Sequence, residues 1–383
     1  MNDTSFDDIR PYYDREINAA MCRIANNPLI QYIADFIYPD VDLETVKEMF
    51  RKIHSADEFQ TQVMHFAIQK IIDKTTSGLT CNGIYQLDKS KSYLFISNHR
   101  DILLDAAIHE MLLNNYGYKT SEITFGSNLM NPEFVVDIGK SNKMFRVERG
   151  GASRDFYKNS SHLSDYIRFT ITRKDESIWI AQRNGRTKDG NDMTDQGILK
   201  MFSMSGTTDL VENFAELAIT PLSISYQYEP CIIQKVKEIS ISKHKKYVKA
   251  PGEDLQSILL GITQFKGKVH LSVTKPIEKS DLLPLAKLPK TDIYTSILKM
   301  IDERIQSNYK LFDTNYMGYD VLNSTQDYLN INYSKEDLNS FVSTMHKELA
   351  LLDGNINELQ QIYLGIYANP VINEKKYRKN LLL

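Results

Sequence analysis

The 383-residue chain has few of the features that mark several large protein classes. Its three cysteines (Cys22, Cys81 and Cys231) are scattered, so we expect neither a zinc site nor a disulfide framework. No window approaches the roughly 18 apolar residues of a membrane-spanning helix, so none is expected. A net charge of −3 and a pI near 6.3 argue against general nucleic-acid binding.

Several signature motifs are also missing. No Gly-x-Ser-x-Gly precedes a helix, which disfavours a serine acyl-enzyme, and the chain has neither a P-loop nor a Gly-x-Gly-x-x-Gly fingerprint. Residues 1–13 are acidic and polar and do not resemble a signal peptide. We therefore expect a cytoplasmic protein that would meet any lipid substrate at a membrane surface.

What the chain does contain is a change of hydrophobic pattern along its length. Residues 1–83 are expected to form helices, ending in a linker-like turn at Gly78 and Asn82-Gly83. Between 84 and 285 strand-like and helical patterns alternate, which predicts an α/β domain with a mainly parallel, mixed sheet flanked by helices. Residues 286–383 are expected to form helices that pack on this domain. The predicted strands are 92–97, 122–126, 144–147, 177–182, 219–226 and 268–274.

The stretch from Tyr93 to Asp105 is the most informative. A short β-branched and aromatic run predicts a buried strand, and an apolar-periodic helix follows from about Asp101. His99, preceded by Asn98, therefore lies at the carboxyl end of a strand, where α/β proteins commonly place their chemistry. With Asp101 or Asp105 as orienter it could act as a general base. A histidine satisfied in a turn is the alternative.

Two other predicted strands end in cations and glycines. The end of such a strand can bind a phosphate or another anion, because guanidinium groups and the N–H groups of a turn both bind oxyanions. The alternative is that both segments are solvated loops. The residues concerned are Arg149, after strand 144–147, and Arg183, Asn184, Gly185 and Arg186, after strand 177–182.

Two further features have ordinary interpretations. Pro221 comes near the start of strand 219–226, which is tolerated at a sheet edge or a first position. The basic residues of 243–249 are most simply a solvated loop, and anionic lipid headgroups or an acidic carrier protein are the alternatives.

In their order, four of these blocks resemble the motifs of the glycerolipid acyltransferase superfamily over roughly residues 84–280. Asn98-His99 with Asp105 resembles its Asn-His-x-x-x-x-Asp block, and 145–149 resembles its apolar strand ending in Arg. Residues 183–186 resemble its Glu-Gly-x-Arg block, and 219–224, with Pro221, resemble its fourth. The stretch Val273–Ile277 resembles the strand and Pro-Ile that often close the domain.

The resemblance implies transfer of a fatty acyl group to a hydroxyl of glycerol-3-phosphate or 1-acylglycerol-3-phosphate. The donor would be a thioester of acyl carrier protein or CoA, the setting the inner face of a membrane, and no metal or other cofactor would be needed. His99 would be the base, with Asp105 or Asp101 as its partner. The implied substrate-binding residues are Asn98, Arg149, Arg183, Asn184, Gly185, Arg186 and Pro221.

Two departures from the family pattern leave alternatives open. The spacing from His99 to Asp105 is one residue longer, so either an extra residue bulges at the helix start or Asp101 replaces the usual partner. The acidic residue of the third block is missing, since Asn184 or Arg183 stands where it would fall. Two alternatives therefore remain open. The protein could be a superfamily member that binds lipid or acyl carrier protein without turnover, or one that acylates an amino-acid lipid.

Overall fold

One seven-stranded sheet organises the computed structural model, which describes residues 4–130, 132–148 and 153–381. The strand order is β1-β7-β6-β2-β5-β3-β4. Neighbouring strands are parallel except β6 and β7, which are antiparallel. The strands are β1 (Gly78–Asn82), β2 (Leu94–Ser97), β3 (Glu122–Gly126), β4 (Met144–Val147), β5 (Ile178–Ala181), β6 (Ile219–Tyr226) and β7 (Lys268–Val273).

Helices precede, cover and follow this sheet, and a π-helical turn (Gln60–Met64) joins α4 to α5. They are α1 (Asp14–Asn26), α2 (Ile30–Ile37), α3 (Leu43–Arg51), α4 (Ala56–Phe59), α5 (His65–Thr75), α6 (Leu104–Asn115), α7 (Glu133–Ser141), α8 (Ser153–Thr172), α9 (Gln196–Phe202), α10 (Leu210–Ala215), α11 (Ile232–His244), α12 (Glu253–Thr263), α13 (Lys279–Leu282), α14 (Lys290–Ser307), α15 (Asp313–Asn323), α16 (Lys335–Leu349) and α17 (Ile356–Leu381). Among the described residues, none of these helices combines the length and the apolar character needed to cross a bilayer.

Strand β2 shows why the sheet is covered on both faces. Leu94 and Ile96 belong to one buried core, with residues of α8, α9 and α14. Phe95 belongs to a second core, with residues of α5 and α6. Because successive side chains of a strand point to opposite faces, a strand buried on both sides is apolar throughout. The prediction of a mainly parallel mixed sheet flanked by helices is confirmed.

The six predicted strands are all present, but the turn predicted at residues 78–83 is wrong in part. Residues 78–82 form β1, which pairs with β7, so the sheet begins before residue 84. A glycine at each end of this short run gave it the appearance of a turn. Gly83 does turn the chain, with φ of +76°.

Pro221 lies near the start of its strand, as predicted, but at neither of the two positions, a sheet edge or a first residue, where proline is ordinarily tolerated. It is the third residue of β6, which lies between β7 and β2. Its carbonyl accepts hydrogen bonds from the backbone and hydroxyl of Thr274, just past the end of β7. The N–H and C=O of one strand residue point to the same neighbouring strand. Because the Pro221 carbonyl points to Thr274, the N–H that proline lacks would also have pointed to the irregular residues that follow β7. No ladder hydrogen bond is lost there.

The flanking helices pack on the α/β part at separate places. Helices α1 to α4 share a core against which Phe134 and Ile138 of α7 pack. Asp137 of α7 accepts hydrogen bonds from the Tyr12 hydroxyl and from Arg23 of α1. At the other end of the chain, α14 joins a core of the sheet, and α15, α16 and α17 share a core with α11.

Gly83→Ala should lower the free energy of unfolding by about 1–3 kcal/mol, because the new methyl group would be both strained and overpacked. A Cβ atom at residue 83 would lie 1.9 Å from the carbonyl oxygen of Val273. Gly252→Ala is the matched control, since φ is +81° there but nothing lies within 4 Å of the added carbon. Urea unfolding measures both losses, and a loss at residue 83 no larger than at residue 252 would contradict the packing.

Candidate active site

His99 and Asp105 meet at the carboxyl end of β2. Nδ1 of His99 lies 2.8 Å from Oδ2 of Asp105, and both side chains are buried. The irregular residues between Ser97 and Leu104 form the turn that precedes α6, and the first turn of α6 carries Asp105. Among the described residues, Nε2 of His99 has no hydrogen-bond partner.

Both oxygens of the Asp105 carboxyl group accept hydrogen bonds. Oδ2 also accepts the backbone N–H groups of Arg100 (2.5 Å) and Asp101 (3.0 Å), and Oδ1 accepts the Tyr226 hydroxyl at 2.7 Å. Burial and the charge of Asp105 raise the pKa of Tyr226 well above its usual value, so its hydroxyl remains a donor. Because the other groups around Asp105 are donors, its carboxylate accepts a hydrogen bond from Nδ1–H of His99, which leaves Nε2 as the basic nitrogen.

Asp101 has a different place. Its Oδ1 accepts the backbone N–H groups of Leu103 (3.0 Å) and Leu104 (2.9 Å), so it caps the start of α6. Its Oδ2 is buried without a partner among the described residues. Burial, reinforced by the charge of Asp105, raises the pKa of Asp101. Of the two carboxylates named by the sequence, the structure therefore brings Asp105 to His99.

Asn98 joins β2 to its neighbour β6. Its amide oxygen accepts the backbone N–H of Ile224 at 2.7 Å, and its amide nitrogen donates to the Ile224 carbonyl (3.0 Å) and to Asp192 (3.1 Å). The side chain is fully buried. Its amide thus continues the sheet ladder past the end of β2 and fixes the backbone that leads into His99.

Arg100 is the centre of a buried ionic cluster, which we define as Arg100, Asp192, Glu229 and Lys235. The guanidinium donates to Asp192 (2.6 Å) and Glu229 (3.0 Å), and Lys235 donates to Glu229 and to the Arg100 carbonyl (2.8 Å). All four side chains are buried. Two cations and two carboxylates thus compensate one another directly behind the turn that carries His99.

The residues after β5 lie against the same turn. The backbone N–H of Thr187 donates to the His99 carbonyl at 2.7 Å, and that of Gln182 donates to Ser97. Arg186, next to Thr187, is half-buried, and one of its terminal nitrogens is buried without a partner among the described residues. Its positive charge lies near enough to Asp101 to counteract the rise in that residue's pKa.

The other proposed binding residues are placed less centrally or not described. Arg183 and Gly185 are half-buried in the same loop, and the Asn184 side chain points to solvent. Pro221 lies opposite Ile96 within the sheet, with its carbonyl engaged by Thr274. Arg149 lies outside the described residues.

Six site residues were not predicted from the sequence. Tyr226 ends β6, and Trp179 of β5 places its ring edge-on to His99, with 5.6 Å between the ring centroids. The remaining four, Arg100, Asp192, Glu229 and Lys235, form the ionic cluster. Only Tyr226 carried a usable signal, because a tyrosine at the carboxyl end of an apolar strand next to β2 faces the same edge of the sheet.

The protein has unsatisfied polar atoms around this site. Buried donors on Trp179, Gln182 and Arg186 have no hydrogen-bond partner within the described ranges, and neither does the second oxygen of Asp101. Buried polar groups are seldom left unpaired in a native protein unless a ligand or water completes them. Together with Nε2 of His99, these atoms make this edge of the sheet the candidate binding site.

Comparisons with known proteins add little to this geometry. No family profile matches the chain, and no curated protein does. Of solved structures, the 1-acyl-sn-glycerophosphate (LPA) acyltransferase PlsC from Thermotoga maritima is 11% identical with a TM-score of 0.36, over 74% of this chain and 91% of that chain. The signal recognition particle receptor FtsY from Elizabethkingia anophelis, in complex with GDP, is 10% identical with a TM-score of 0.22, over 78% of this chain and 94% of that chain.

The signal recognition particle 54 kDa protein from Aeropyrum pernix K1, in complex with GDP, is 8% identical with a TM-score of 0.21, over 96% of this chain and 99% of that chain. Likenesses at these values assign neither a family nor an activity.

Arg100→Met should lower the free energy of unfolding by about 3–5 kcal/mol, since it leaves the buried Asp192 carboxylate uncompensated. Adding Asp192→Asn should recover part of that loss. Lys279→Met is the control, because its ion pair with Glu212 is exposed (52% and 45% of the side chains) and worth at most about 1 kcal/mol. Urea unfolding of the variants measures these losses, and equal losses for Arg100→Met and Lys279→Met would contradict the cluster.

Proposed function

We propose that this protein is an acyltransferase of the glycerolipid type, which moves a fatty acyl group from a thioester to an acceptor hydroxyl. The observation that carries the proposal is the contact between His99 and Asp105. It leaves the basic nitrogen of a buried imidazole without a partner among the residues that the structure describes. A serine, cysteine or lysine nucleophile is not needed in this reaction, because the acceptor hydroxyl attacks the thioester itself.

The proposed reaction begins with proton removal. Nε2 of His99 takes the proton of the acceptor hydroxyl as its oxygen attacks the thioester carbonyl. The Asp105 carboxylate holds the Nδ1 proton in place and stabilises the imidazolium that forms. Collapse of the tetrahedral intermediate then breaks the carbon–sulfur bond, and the imidazolium returns its proton to the leaving thiolate.

Arg186 supports an anionic acceptor. One guanidinium nitrogen of Arg186 has no partner among the described residues, and Arg186 is next to Thr187, which bonds His99. This nitrogen can bind a phosphate and orient the neighbouring hydroxyl. We therefore assign glycerol-3-phosphate or 1-acylglycerol-3-phosphate as the acceptor class. Acyl carrier protein or CoA would carry the acyl group, and no metal or further cofactor takes part in this scheme. A place on the inner face of a membrane, in phospholipid synthesis, belongs to the same proposal.

One observation favours a second function. Asn184 is exposed and uncharged where the resembled family has an acidic residue. A protein that binds lipid or acyl carrier protein without turnover would need His99 only as a structural group. Acylation of an amino-acid lipid would keep the chemistry but make the phosphate contact of Arg186 unnecessary.

The test is an acceptor panel with both donors. Purified protein is given acyl-CoA or acyl carrier protein, and thiol release is followed with glycerol-3-phosphate, 1-acylglycerol-3-phosphate, an amino-acid lipid or no acceptor. The proposal expects release that depends on a phosphate-bearing acceptor. Release with the amino-acid lipid alone would change the acceptor, and no release with any pair would refute the transferase.

Asp105→Asn should lower kcat by about 10²–10⁴-fold, because a neutral amide cannot stabilise the imidazolium that forms on His99 and its NH2 group can favour the wrong tautomer. His99→Ala should lose at least as much. Asp101→Asn should stay within roughly tenfold of the wild type, since Asp101 caps α6 and makes no hydrogen bond to His99. Steady-state kinetics on variants of matched thermal stability measures the difference. A larger loss of kcat for Asp101→Asn than for Asp105→Asn would reverse the roles of the two residues.

Arg186→Ala should raise the KM for glycerol-3-phosphate by about 10- to 150-fold, the value of a charge-assisted hydrogen bond of roughly 1.5–3 kcal/mol. The KM for the acyl donor should change little. Lys188→Ala is the matched control, because its ammonium group already pairs with Glu238. If instead the donor KM rises and the acceptor KM does not, this loop binds the carrier.

A further inference from the structure

Helix α12 has a buried face that rests on the site. Ser257 and Gly261, one turn apart, are its buried residues. The Ser257 carbonyl accepts the thiol of Cys231, and a Cβ atom on Gly261 would lie 2.2 Å from Oδ2 of Asp101. The helix backbone therefore lies directly against the turn that leads from His99 into α6.

The opposite face of α12 is apolar and exposed. Leu255 and Leu259 precede Ser257 and Gly261 by two residues, which places them about 200° round the helix. Their exposed fractions are 59% and 55%. Just after the helix, Phe265 is 53% exposed and contacts only the half-exposed ring of Tyr228 among aromatic rings of the described residues, with 5.9 Å between the centroids.

The segment before α12 is basic and carries one more apolar side chain. Lys243, Lys245 and Lys246 are exposed and form no ion pair among the described residues. Val248, which follows them, is 78% exposed. The segment is fastened to the first turn of α12, because Lys249 pairs with Asp254 at 2.5 Å. This ion pair thus ties the basic segment to the end of α12 that carries Leu255.

We infer that residues 243–265, which we call the α12 surface, dock on an anionic lipid bilayer. Leucines one turn apart suit shallow insertion below the headgroups, and unpaired lysines beside them suit anionic headgroups. Each signal alone gives weak binding, and the combination gives stable attachment. An acidic protein partner would explain the lysines but would leave Leu255, Leu259 and Val248 without a role.

The position of the surface matters for the reaction, and this step rests on the proposed function. The buried face of α12 lies against Asp101, and the other face would lie in the headgroup layer. Docking would hold the His99 site within one helix diameter of the bilayer, about 10 Å. A lysophospholipid acceptor could then present its hydroxyl to His99 while its acyl chain remains in the membrane.

Vesicle flotation with the full chain tests the surface. The wild type should bind vesicles of phosphatidylcholine with phosphatidylglycerol, and should bind pure phosphatidylcholine vesicles far more weakly. Lys243→Gln/Lys245→Gln/Lys246→Gln should weaken binding to the anionic vesicles about a hundredfold, at roughly a factor of five for each lysine. Leu255→Gln/Leu259→Gln should weaken it at least about tenfold.

Ile331→Gln/Leu351→Gln is the matched control, since both side chains are more exposed (76% and 78%) than Leu255 and Leu259 but lie outside the α12 surface. It should bind like the wild type. No flotation of the wild type, or equal flotation of the two apolar double variants, would overturn the inference. Saturable binding to acyl carrier protein that depends on the lysines and not on the leucines, without flotation, would overturn it in favour of an acidic protein.

Flotation needs no turnover, so the two proposals can fail separately. Flotation without acyl transfer would overturn the transferase and leave the α12 surface standing. Transfer to water-soluble glycerol-3-phosphate without flotation would overturn the α12 surface and leave the transferase standing.

Discussion

The buried charge of Arg100 is the constraint on which the rest of the site depends. A guanidinium removed from water is tolerated only if carboxylates and carbonyls replace its hydration, and here Asp192 and Glu229 do so. Asp192 belongs to the loop after β5, Glu229 follows β6, and Lys235 of α11 closes the cluster. These segments must therefore assemble around the residue next to His99. Because Arg100 directly follows His99, the carboxylates that hold its guanidinium also fix the position of the imidazole.

Most of the sheet could be predicted from the sequence, because a parallel strand buried on both faces is an unbroken apolar run. The strands β3, β4 and β6 have the predicted bounds. What escaped prediction was governed by tertiary contacts. The edge strand β1 is half-exposed and bounded by glycines, so only its pairing with β7 identifies it. Helix α11 buries only Ile232, Lys235 and Val236, and a buried lysine breaks the apolar pattern by which a helix is recognised.

The candidate site was predictable in its centre and not in its surroundings. The sequence indicated His99 and offered two aspartates, and a spacing cannot decide between them because the turn before α6 can absorb one residue. Backbone geometry decides, since Asp101 lies where it caps the helix and Asp105 where it meets the imidazole. The charged residues that support them, Asp192 and Glu229, lie about 90 to 130 residues further along the chain. Nothing in their local sequence distinguishes them from residues of solvated loops.

The pairing of β1 with β7 determines when the β1 edge of the sheet can form while the chain is being synthesised. Thr80 and His270, aligned in the two strands, are 190 residues apart, and β1 has no other strand partner within the described part of the sheet. Contacts so distant in sequence form late, because the long intervening loop must first be closed. During translation β1 must therefore wait, exposed, until almost the whole α/β part has been synthesised. The strand has only five residues, and three of them are polar or glycine, so during that interval it has little tendency to pair with another chain.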